Sequence, residues 1–319
     1  FRRVLFRSGQ NHVSRALSSA LERGRLHHAY LFTGTRGVGK TTIARILAKC
    51  LNCETGVTST PCEVCPICTA VNDGRFIDLI EIDAASRTKV EDTRELLDNV
   101  PYAPTQGRFK VYLIDEVHML STHSFNALLK TLEEPAGDSL LLLIASQVSR
   151  LLPTILSRCH KHVCQLPTEG ETLRWLSEQG HQATQAQVRI CQGAPLRVLS
   201  YIEEQQDGAR RMLLESFVSL SQTPTRAASV CSQLAEESQI RLHWLQLFLC
   251  DALKIQAGCG HHQLAMPDLT ALSEQLAERH SSERLLEAEQ QLVVLKAACQ
   301  PGQLSNPTIH LMNWLNRWL

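Results

Sequence analysis

Residues 34–41 indicate the fold of this chain and read Gly34-Thr35-Arg36-Gly37-Val38-Gly39-Lys40-Thr41. The run fits the phosphate-binding pattern G-x-x-x-x-G-K-[ST] at every fixed position. In this pattern the glycines let backbone N–H groups curl around a phosphate, Lys40 supplies a positive charge toward the β- and γ-phosphates, and Thr41 offers its hydroxyl to Mg²⁺. A glycine-rich turn before a helix would explain the glycines but not Lys40 and Thr41. We therefore predict a nucleotide-binding site.

The sequence on both sides of this run supports the same prediction. Residues 29–32 form an apolar run that is typical of a strand. Residues 42–49 have apolar positions at helical spacing, so the phosphates would lie at a helix N-terminus, where the helix dipole favours negative charge. The candidate phosphate-binding residues accordingly extend through Thr42.

A second candidate element lies about 75 residues beyond the phosphate loop. Residues 110–116 form an apolar run rich in β-branched residues that ends in two carboxylates, Asp115 and Glu116. Asp115 is placed to hold Mg²⁺, and Glu116 is placed to orient or deprotonate an attacking water. An Asp-Glu pair after a strand can also cap the following helix. The distance from the phosphate loop favours the catalytic interpretation.

Four of the twelve cysteines are clustered, in the pattern C-x₈-C-x₂-C-x₂-C. Four thiolates can close a tetrahedral structural Zn²⁺ site, which would be formed by Cys53, Cys62, Cys65 and Cys68. Reduced free thiols and an iron–sulfur cluster are the alternatives. We expect the scattered cysteines to be small buried apolar residues, namely Cys50, Cys159, Cys164, Cys191, Cys231, Cys250, Cys259 and Cys299.

The composition argues for a chain with two or three domains and no membrane partner. The chain has 319 residues, with 32 basic and 32 acidic side chains. Because these charges balance, any nucleic-acid contact must come from a local basic patch. The longest apolar stretch, around residues 140–145, is far too short to span a bilayer. We expect no secretory segment and a cytoplasmic location.

The pattern along the chain changes near residue 165. Before it, strands alternate with helices, which is typical of an α/β domain with a parallel sheet, and strands are predicted near residues 29–33, 79–83, 111–115 and 140–145. After Thr168, Leu, Ala, Gln and Glu dominate. Periodic apolar positions there predict helices separated at Gly193, Gly208, Pro224, residues 258–260 and Pro267.

Several stretches resemble a known family, the clamp-loader subunits of bacterial DNA polymerase III, which are AAA+ ATPases. The resemblance to the gamma/tau subunits lies in residues 37–41, 51–56, 80–87 and 113–120. The resemblance to the sister subunit delta-prime lies in residues 140–143, 193–197 and 241–245. The chain is thus gamma/tau-like in its N-terminal part and delta-prime-like in its C-terminal part.

The resemblance implies an α/β P-loop NTPase (AAA+) domain followed by all-α lid and helical collar domains. The AAA+ domain covers residues 1–166 and carries the zinc-binding insertion at 53–68. The helical lid covers 167–206, and the collar, which serves oligomerisation, covers 207–319. Residues 1–8 do not match the family, and we expect them to reflect a truncation.

The resemblance also assigns roles to two arginines and a serine. Arg158, in Ser157-Arg158-Cys159, matches the family's arginine finger, which acts in trans on the ATP of a neighbouring subunit. A surface arginine at the end of a helix is the alternative. Arg197 corresponds to a sensor presented by the lid to the ATP in cis, and Ser146 to the sensor on the fourth strand.

DNA contacts are the least specific prediction. Arg87, Lys89 and Arg94 follow the second strand, and Thr122 and His123 begin a later helix. Both groups of residues could contact the phosphates of a DNA duplex. They are equally well interpreted as solvated surface residues.

The implied function is that of a clamp-loader ATPase within the DNA polymerase III holoenzyme, with ATP, Mg²⁺ and Zn²⁺ as cofactors. Its implied partners are other loader subunits in a hetero-oligomeric ring, the sliding clamp and primed DNA. The alternative is a delta-prime-like stator that offers Arg158 to a neighbour without its own ATP cycle. An unrelated AAA+ remodeler, such as a branch-migration helicase, is disfavoured by the helical C-terminal part.

Overall fold

The structure is a computed structural model that describes residues 10–85, 103–134, 137–220, 222–299 and 307–318. The chain forms two compact units. One unit comprises residues up to Trp175 together with Ala194–Arg197, and the other comprises Leu176–Gly193 and Val198–Leu319.

A five-stranded sheet forms the centre of the first unit, and all its described pairings are parallel. The strand order is β2-β3-β4-β1-β5. The strands are β1 (Ala29–Thr33), β2 (Leu79–Asp83), β3 (Lys110–Asp115), β4 (Ser139–Ala145) and β5 (His160–Val163). The first four confirm the predicted strands, and β3 and β4 each begin one residue earlier than expected.

Helices cover both faces of the sheet, as continuous apolar strands require. One core cluster joins Tyr30 and Phe32 to α1, α2 and α3, while the opposite cluster joins Ala29 and Leu31 to α4 and α5. Alternate residues of β1 therefore face opposite layers, because side chains alternate along a strand. The helices in these clusters are α1 (Asn11–Glu22), α2 (Lys40–Asn52), α3 (Pro66–Asn72), α4 (Thr122–Glu133) and α5 (Pro153–Arg158), and a further helix, α6 (Glu169–Glu178), follows β5.

Strand β5 was not predicted from the sequence. It lies at the edge of the sheet, pairs with β1 and contains His160, Lys161 and His162. Only His162 of these three is buried, and its ring stacks on Tyr30 and Phe32 with ring centroids 5.8 Å apart in each case. A short polar edge strand gives no apolar run, so its pairing depends on the neighbouring strand.

The second unit is helical in its described part, which confirms the predicted change of pattern near Thr168. Gly208 does not separate two helices as expected: it is the third residue of a helix, and the chain turns at Gln205, whose φ is 51°. The helices are α7 (Gln185–Ile190), α8 (Pro195–Glu203), α9 (Gln206–Ser219), α10 (Ala227–Ala235), α11 (Ser238–Gln256), α12 (Thr270–Arg279), α13 (Ser282–Ala298) and α14 (Pro307–Trp318).

None of the helices in the described ranges combines the length and the apolar composition needed to cross a bilayer.

Candidate functional site

Two glycines shape the loop between β1 and α2. Gly34 has φ of 139°, and a Cβ atom there would lie 2.3 Å from the carbonyl oxygen of Cys164. Gly37 has φ of 82°, and a Cβ atom there would lie 2.5 Å from Cγ of Arg197. Both positions combine a left-handed backbone with close packing, so only glycine fits them.

Helix α2 begins directly after this loop, with Gly39 in the left-handed conformation and no side-chain cap. Uncapped N–H groups at a helix N-terminus suit an anion. Lys40 is buried, and its Nζ donates 2.7 Å hydrogen bonds to the carbonyl oxygens of Gly34 and Thr35. Burial lowers the pKa of Lys40, and the carboxylates of Glu116 and Asp115 offset part of that effect.

An open cavity of about 320 Å³ lies over the loop. It is lined by the ends of β2 and β3 and by the start of α2, because the carboxyl ends of parallel strands meet at one edge of the sheet. Asp83, which pairs with Asp115 in the strand register, was not among the predicted site residues; its position at a strand end was the available signal. The lining residues are Arg36, Gly37, Gly39, Lys40, Thr41, Thr42, Asp83, Ala85, Asp115, Glu116 and Leu196.

The two predicted magnesium ligands lie together in this cavity. Thr41 Oγ1 donates a 2.8 Å hydrogen bond to Asp115 Oδ2. Two oxygen donors at this distance from each other suit a hard cation such as Mg²⁺. Val38, by contrast, is buried in the core below the loop, so only its backbone is available to a ligand.

Glu116 is buried at the cavity wall, with a left-handed backbone (φ 48°). Its Oε1 accepts a 2.6 Å hydrogen bond from Arg36 Nε, and its Oε2 accepts bonds from the hydroxyl and N–H of Ser146 at 2.8 and 3.2 Å. Burial alone would raise the pKa of Glu116, but the bonds from Arg36 and Ser146 outweigh it and hold the pKa below its ordinary value. The structure thus brings predicted sensor and predicted base into contact.

His118 is a neighbour of Glu116 that sequence reasoning missed. Its side chain is buried, and its Nδ1 lies 3.3 Å from Glu116 Oε2 without the geometry of a hydrogen bond. Burial lowers the pKa of His118, although the Glu116 carboxylate acts in the opposite direction. Its position in the turn after the two carboxylates was the only signal in the sequence.

Arg158 does not line the cavity. It lies at the end of α5, where it donates to the carbonyl oxygen of Thr154 at 3.0 Å and pairs with Glu133 at 2.8 Å. About a third of its side chain is exposed.

Arg197 lies next to the phosphate loop. Its aliphatic stem packs against Gly37, and the N–H of the preceding residue, Leu196, donates to the Gly37 carbonyl oxygen at 3.2 Å. The start of α8 therefore contacts the loop, and the sensor role of Arg197 stays a prediction.

The four clustered cysteines converge as the spacing predicted. The sulfur atoms of Cys53, Cys62, Cys65 and Cys68 lie within 4.8 Å of one another. Backbone N–H groups donate to three of the sulfurs, at 3.3 to 3.4 Å. Such bonds favour the thiolate form that binds a metal.

Two cationic side chains support the cysteine cluster from outside. Lys49 is buried and donates to both carboxylate oxygens of Glu63, at 2.9 and 2.7 Å, and to Asn72 at 2.9 Å. Arg108 donates to the carbonyl oxygens of Cys53 and Glu54. The loop between the ligands is thereby held to the end of α2 and to the strand region.

The remaining predictions concern the scattered cysteines and the candidate DNA contacts. The scattered cysteines are free thiols, mostly buried as expected; Cys159, Cys250 and Cys259 are only partly buried. Thr122 and His123 are exposed at the start of α4. The other predicted DNA contacts, Arg87, Lys89 and Arg94, lie outside the described residues.

Both parts of the chain match known families. Residues 9–167 match the family described as DNA polymerase III, delta subunit. Residues 204–319 match the family described as DNA polymerase III, delta subunit, C terminal. The chain belongs to the DNA polymerase III clamp-loader subunits. A parallel α/β nucleotide-binding fold followed by helices agrees with this membership.

Individual relatives of this clamp-loader subunit match over about half of the chain. The tau subunit of DNA polymerase III from Salmonella typhimurium is 71% identical over 151 residues, which are 47% of this chain and 24% of that protein. The gamma subunit from Buchnera aphidicola subsp. Acyrthosiphon pisum is 56% identical over 168 residues, 53% of this chain and 46% of that protein. The chain thus spans less than half the length of these relatives.

Among solved structures, the Bacillus subtilis DNA clamp loader delta protein aligns with 95% of this chain and 98% of its own. Its sequence identity is 14% and the TM-score is 0.40.

Proposed function

We propose that this chain is an ATP-hydrolysing subunit of the DNA polymerase III clamp loader. Inside a hetero-oligomeric ring of loader subunits, ATP binding opens the sliding clamp, and DNA-stimulated hydrolysis releases the clamp on primed DNA. The observation that carries the proposal is that Lys40, Thr41, Asp115 and Glu116 line one cavity. The family membership and the gamma and tau relatives support the same role.

Phosphate binding is the task of the loop and of Lys40. Two of the three N–H donors of the Lys40 ammonium bond to loop carbonyls, which fixes the charge beside the N-terminus of α2. The third donor remains for a phosphate oxygen. Because the surroundings are largely buried, this charge acts on the phosphates with little screening by water.

Thr41 and Asp115 are the candidate ligands of Mg²⁺, and their oxygens already lie 2.8 Å apart. When bound, the ion neutralises charge that develops on the phosphates. Holding these two oxygens on rigid elements, the first turn of α2 and the end of β3, limits the reorganisation needed for binding.

Glu116 is the candidate base that positions the attacking water, and Ser146 orients its carboxylate through Oε2. Arg197 supports the phosphate loop in cis from the start of α8. Arg158 acts in trans on the nucleotide of a neighbouring subunit, which agrees with its absence from the lining of its own cavity.

The cysteine cluster is a structural zinc site in this proposal. Zn–S bonds measure about 2.3 Å and point to the corners of a tetrahedron, so two sulfurs on one ion lie roughly 3.8 Å apart. Sulfur atoms within 4.8 Å of one another fit a single ion better than a larger iron–sulfur cluster.

The proposal includes the domain organisation and the location. Residues 1–166 act as the AAA+ domain, 167–206 as the lid and 207–319 as the collar that joins neighbouring subunits. The protein acts in the bacterial cytoplasm, where the replicating DNA is.

The proposed function is tested by separating ATP binding from turnover. Lys40→Ala should lose ATP binding, because the negative charge of the phosphates no longer meets the Lys40 ammonium. Glu116→Gln should bind ATP at least as tightly as the wild type does but lose turnover by about 10²–10⁴-fold. The readouts are equilibrium binding of Mg-ATP, and ATP hydrolysis with and without primed DNA in the presence of the other loader subunits.

Lys130→Ala is a matched control, because Lys130 is exposed on α4 and does not line the cavity. Equal ATP affinity of the wild type and Lys40→Ala would contradict the proposal and favour the stator alternative.

A further inference from the structure

The phosphate loop and the candidate base are joined by an unusual ion pair. Arg36 Nε lies 2.6 Å from Glu116 Oε1. The two partners differ in their surroundings: 67% of the Arg36 side chain is exposed, against 8% of the Glu116 side chain. A largely exposed cation thus holds a buried carboxylate that Ser146 also binds.

The two oxygens of Glu116 have separate donors. Within the described contacts, Oε2 is held by Ser146 through its hydroxyl and its N–H, whereas Oε1 is held by Arg36. If Arg36 leaves, Ser146 still fixes the orientation of the carboxylate. Oε1 then becomes available to water on the side of the cavity.

A second anion competes for Arg36 at the same place. Arg36 is the third residue of the phosphate-binding pattern, and it lines the cavity together with Lys40 and Thr41. A guanidinium binds carboxylates and phosphates with the same N–H donors. A polyphosphate of greater charge than one carboxylate, bound within reach of Arg36, can therefore take it from Glu116.

We propose that Arg36 is a positioning residue that exchanges partners: its side chain holds Glu116 through Oε1 and moves to the phosphates of a bound nucleotide, which releases Oε1 to water. This inference rests on the proposed function. It goes beyond the role of the loop backbone, because it links nucleotide binding to the readiness of the base within one chain.

A double-mutant cycle on ATP affinity tests the exchange without relying on turnover. If Arg36 must leave Glu116 to reach the phosphates, Glu116→Gln should tighten ATP binding more when Arg36 is present than in the Arg36→Ala background. The expected coupling is about 3- to 30-fold in Kd for Mg-ATP. Arg36→Lys, which keeps the charge, should retain part of this coupling.

Turnover gives a second readout that a purely structural role would not produce. Arg36→Ala should raise KM for ATP, while kcat at saturating ATP stays at or above the wild-type value because Oε1 is free. A fall in kcat comparable with that of Glu116→Gln would overturn the inference.

Arg45→Ala is the matched control for the cycle. Arg45 is also half-exposed and pairs with a glutamate, Glu81, at 2.8 and 2.6 Å, but it does not line the cavity. The effects of Arg45→Ala and Glu116→Gln on the binding free energy of Mg-ATP should therefore be additive.

The outcomes separate the two proposals. If Lys40→Ala loses ATP binding but the effects of Arg36→Ala and Glu116→Gln are additive, the exchange is wrong and the proposed function stands. If the wild type binds no ATP, both fall.

Discussion

Thr41 Oγ1 and Asp115 Oδ2 lie 2.8 Å apart although 74 residues separate them in the sequence. The first turn of α2 follows β1, and Asp115 ends β3, so both reach the same edge of the parallel sheet. In the sheet order, only β4 lies between the two strands, and both residues line the same cavity. This contact is the structural basis of the proposed magnesium site.

Replacing Thr41 with valine should weaken Mg²⁺ binding, because the branched shape is kept and the hydroxyl is lost. We expect the Mg²⁺ concentration for half-maximal ATP turnover to rise by about 10-fold or more. The measurement is a Mg²⁺ titration at saturating ATP. Thr131→Val removes a hydroxyl that donates to the carbonyl oxygen of Ala127 within α4, and it should leave the titration unchanged. An unchanged titration for Thr41→Val would exclude Thr41 as a ligand.

Purified protein should carry one Zn²⁺ per chain, and Cys65→Ser should release it. Loss of the ion should lower the melting temperature, because metal binding to the native state adds to its stability. Elemental analysis and thermal unfolding measure the two effects. Cys259→Ser, outside the cluster, is the control. Protein prepared without chelator that contains iron, or no metal, would contradict the zinc assignment.

Arg158→Ala should leave the ATP affinity of the isolated chain near the wild-type value and reduce DNA-stimulated hydrolysis in the assembled loader by about 10³-fold or more, as expected for an arginine finger. The exposed ion pair between Arg158 and Glu133 contributes on the order of 0.2–1 kcal/mol to the free energy of unfolding, so little loss of stability is expected.

Glu133→Gln is the control for this variant, because it removes the intrachain partner of Arg158 and keeps the arginine. If Glu133→Gln reproduces the defect, or if the isolated Arg158→Ala chain already loses its basal hydrolysis to the same extent, the trans role is wrong.

Acid should destabilise the sheet through His162. Burial, together with His160 and His12, lowers the pKa of His162 to about 4, below the value of about 6.5 expected in the unfolded chain. The unfolded chain therefore binds more protons below pH 6.5. Stability is fully present above that pH and is lost as the pH falls toward 4, by on the order of 2 kcal/mol at pH 5.

His162→Phe should remove this part of the pH dependence, because phenylalanine can stack on Tyr30 and Phe32 without titrating. Thermal unfolding at pH 8 and pH 5 compares the two proteins. His123→Gln changes an exposed histidine and should behave as the wild type does. If His162→Phe loses as much stability at pH 5 as the wild type, His162 is not the group responsible.

The sequence by itself determined the features that depend on local patterns. The phosphate loop, four of the strands, the cysteine cluster and the helical second part follow from spacing and periodicity within short stretches. Glycines at 34 and 37 were also informative, because their lack of a side chain is needed wherever the loop packs closely.

Only the tertiary structure decided the contacts between distant stretches. The edge strand β5 forms because β1 offers it a partner, although its own residues alternate histidine with lysine and valine. The contact between Arg36 and Glu116 likewise depends on how β1 and β3 are ordered in the sheet, and no local pattern encodes an ion pair across 80 residues. Strand order and side-chain partners are set by the free energy of the whole packed unit, so they become visible only in the folded chain.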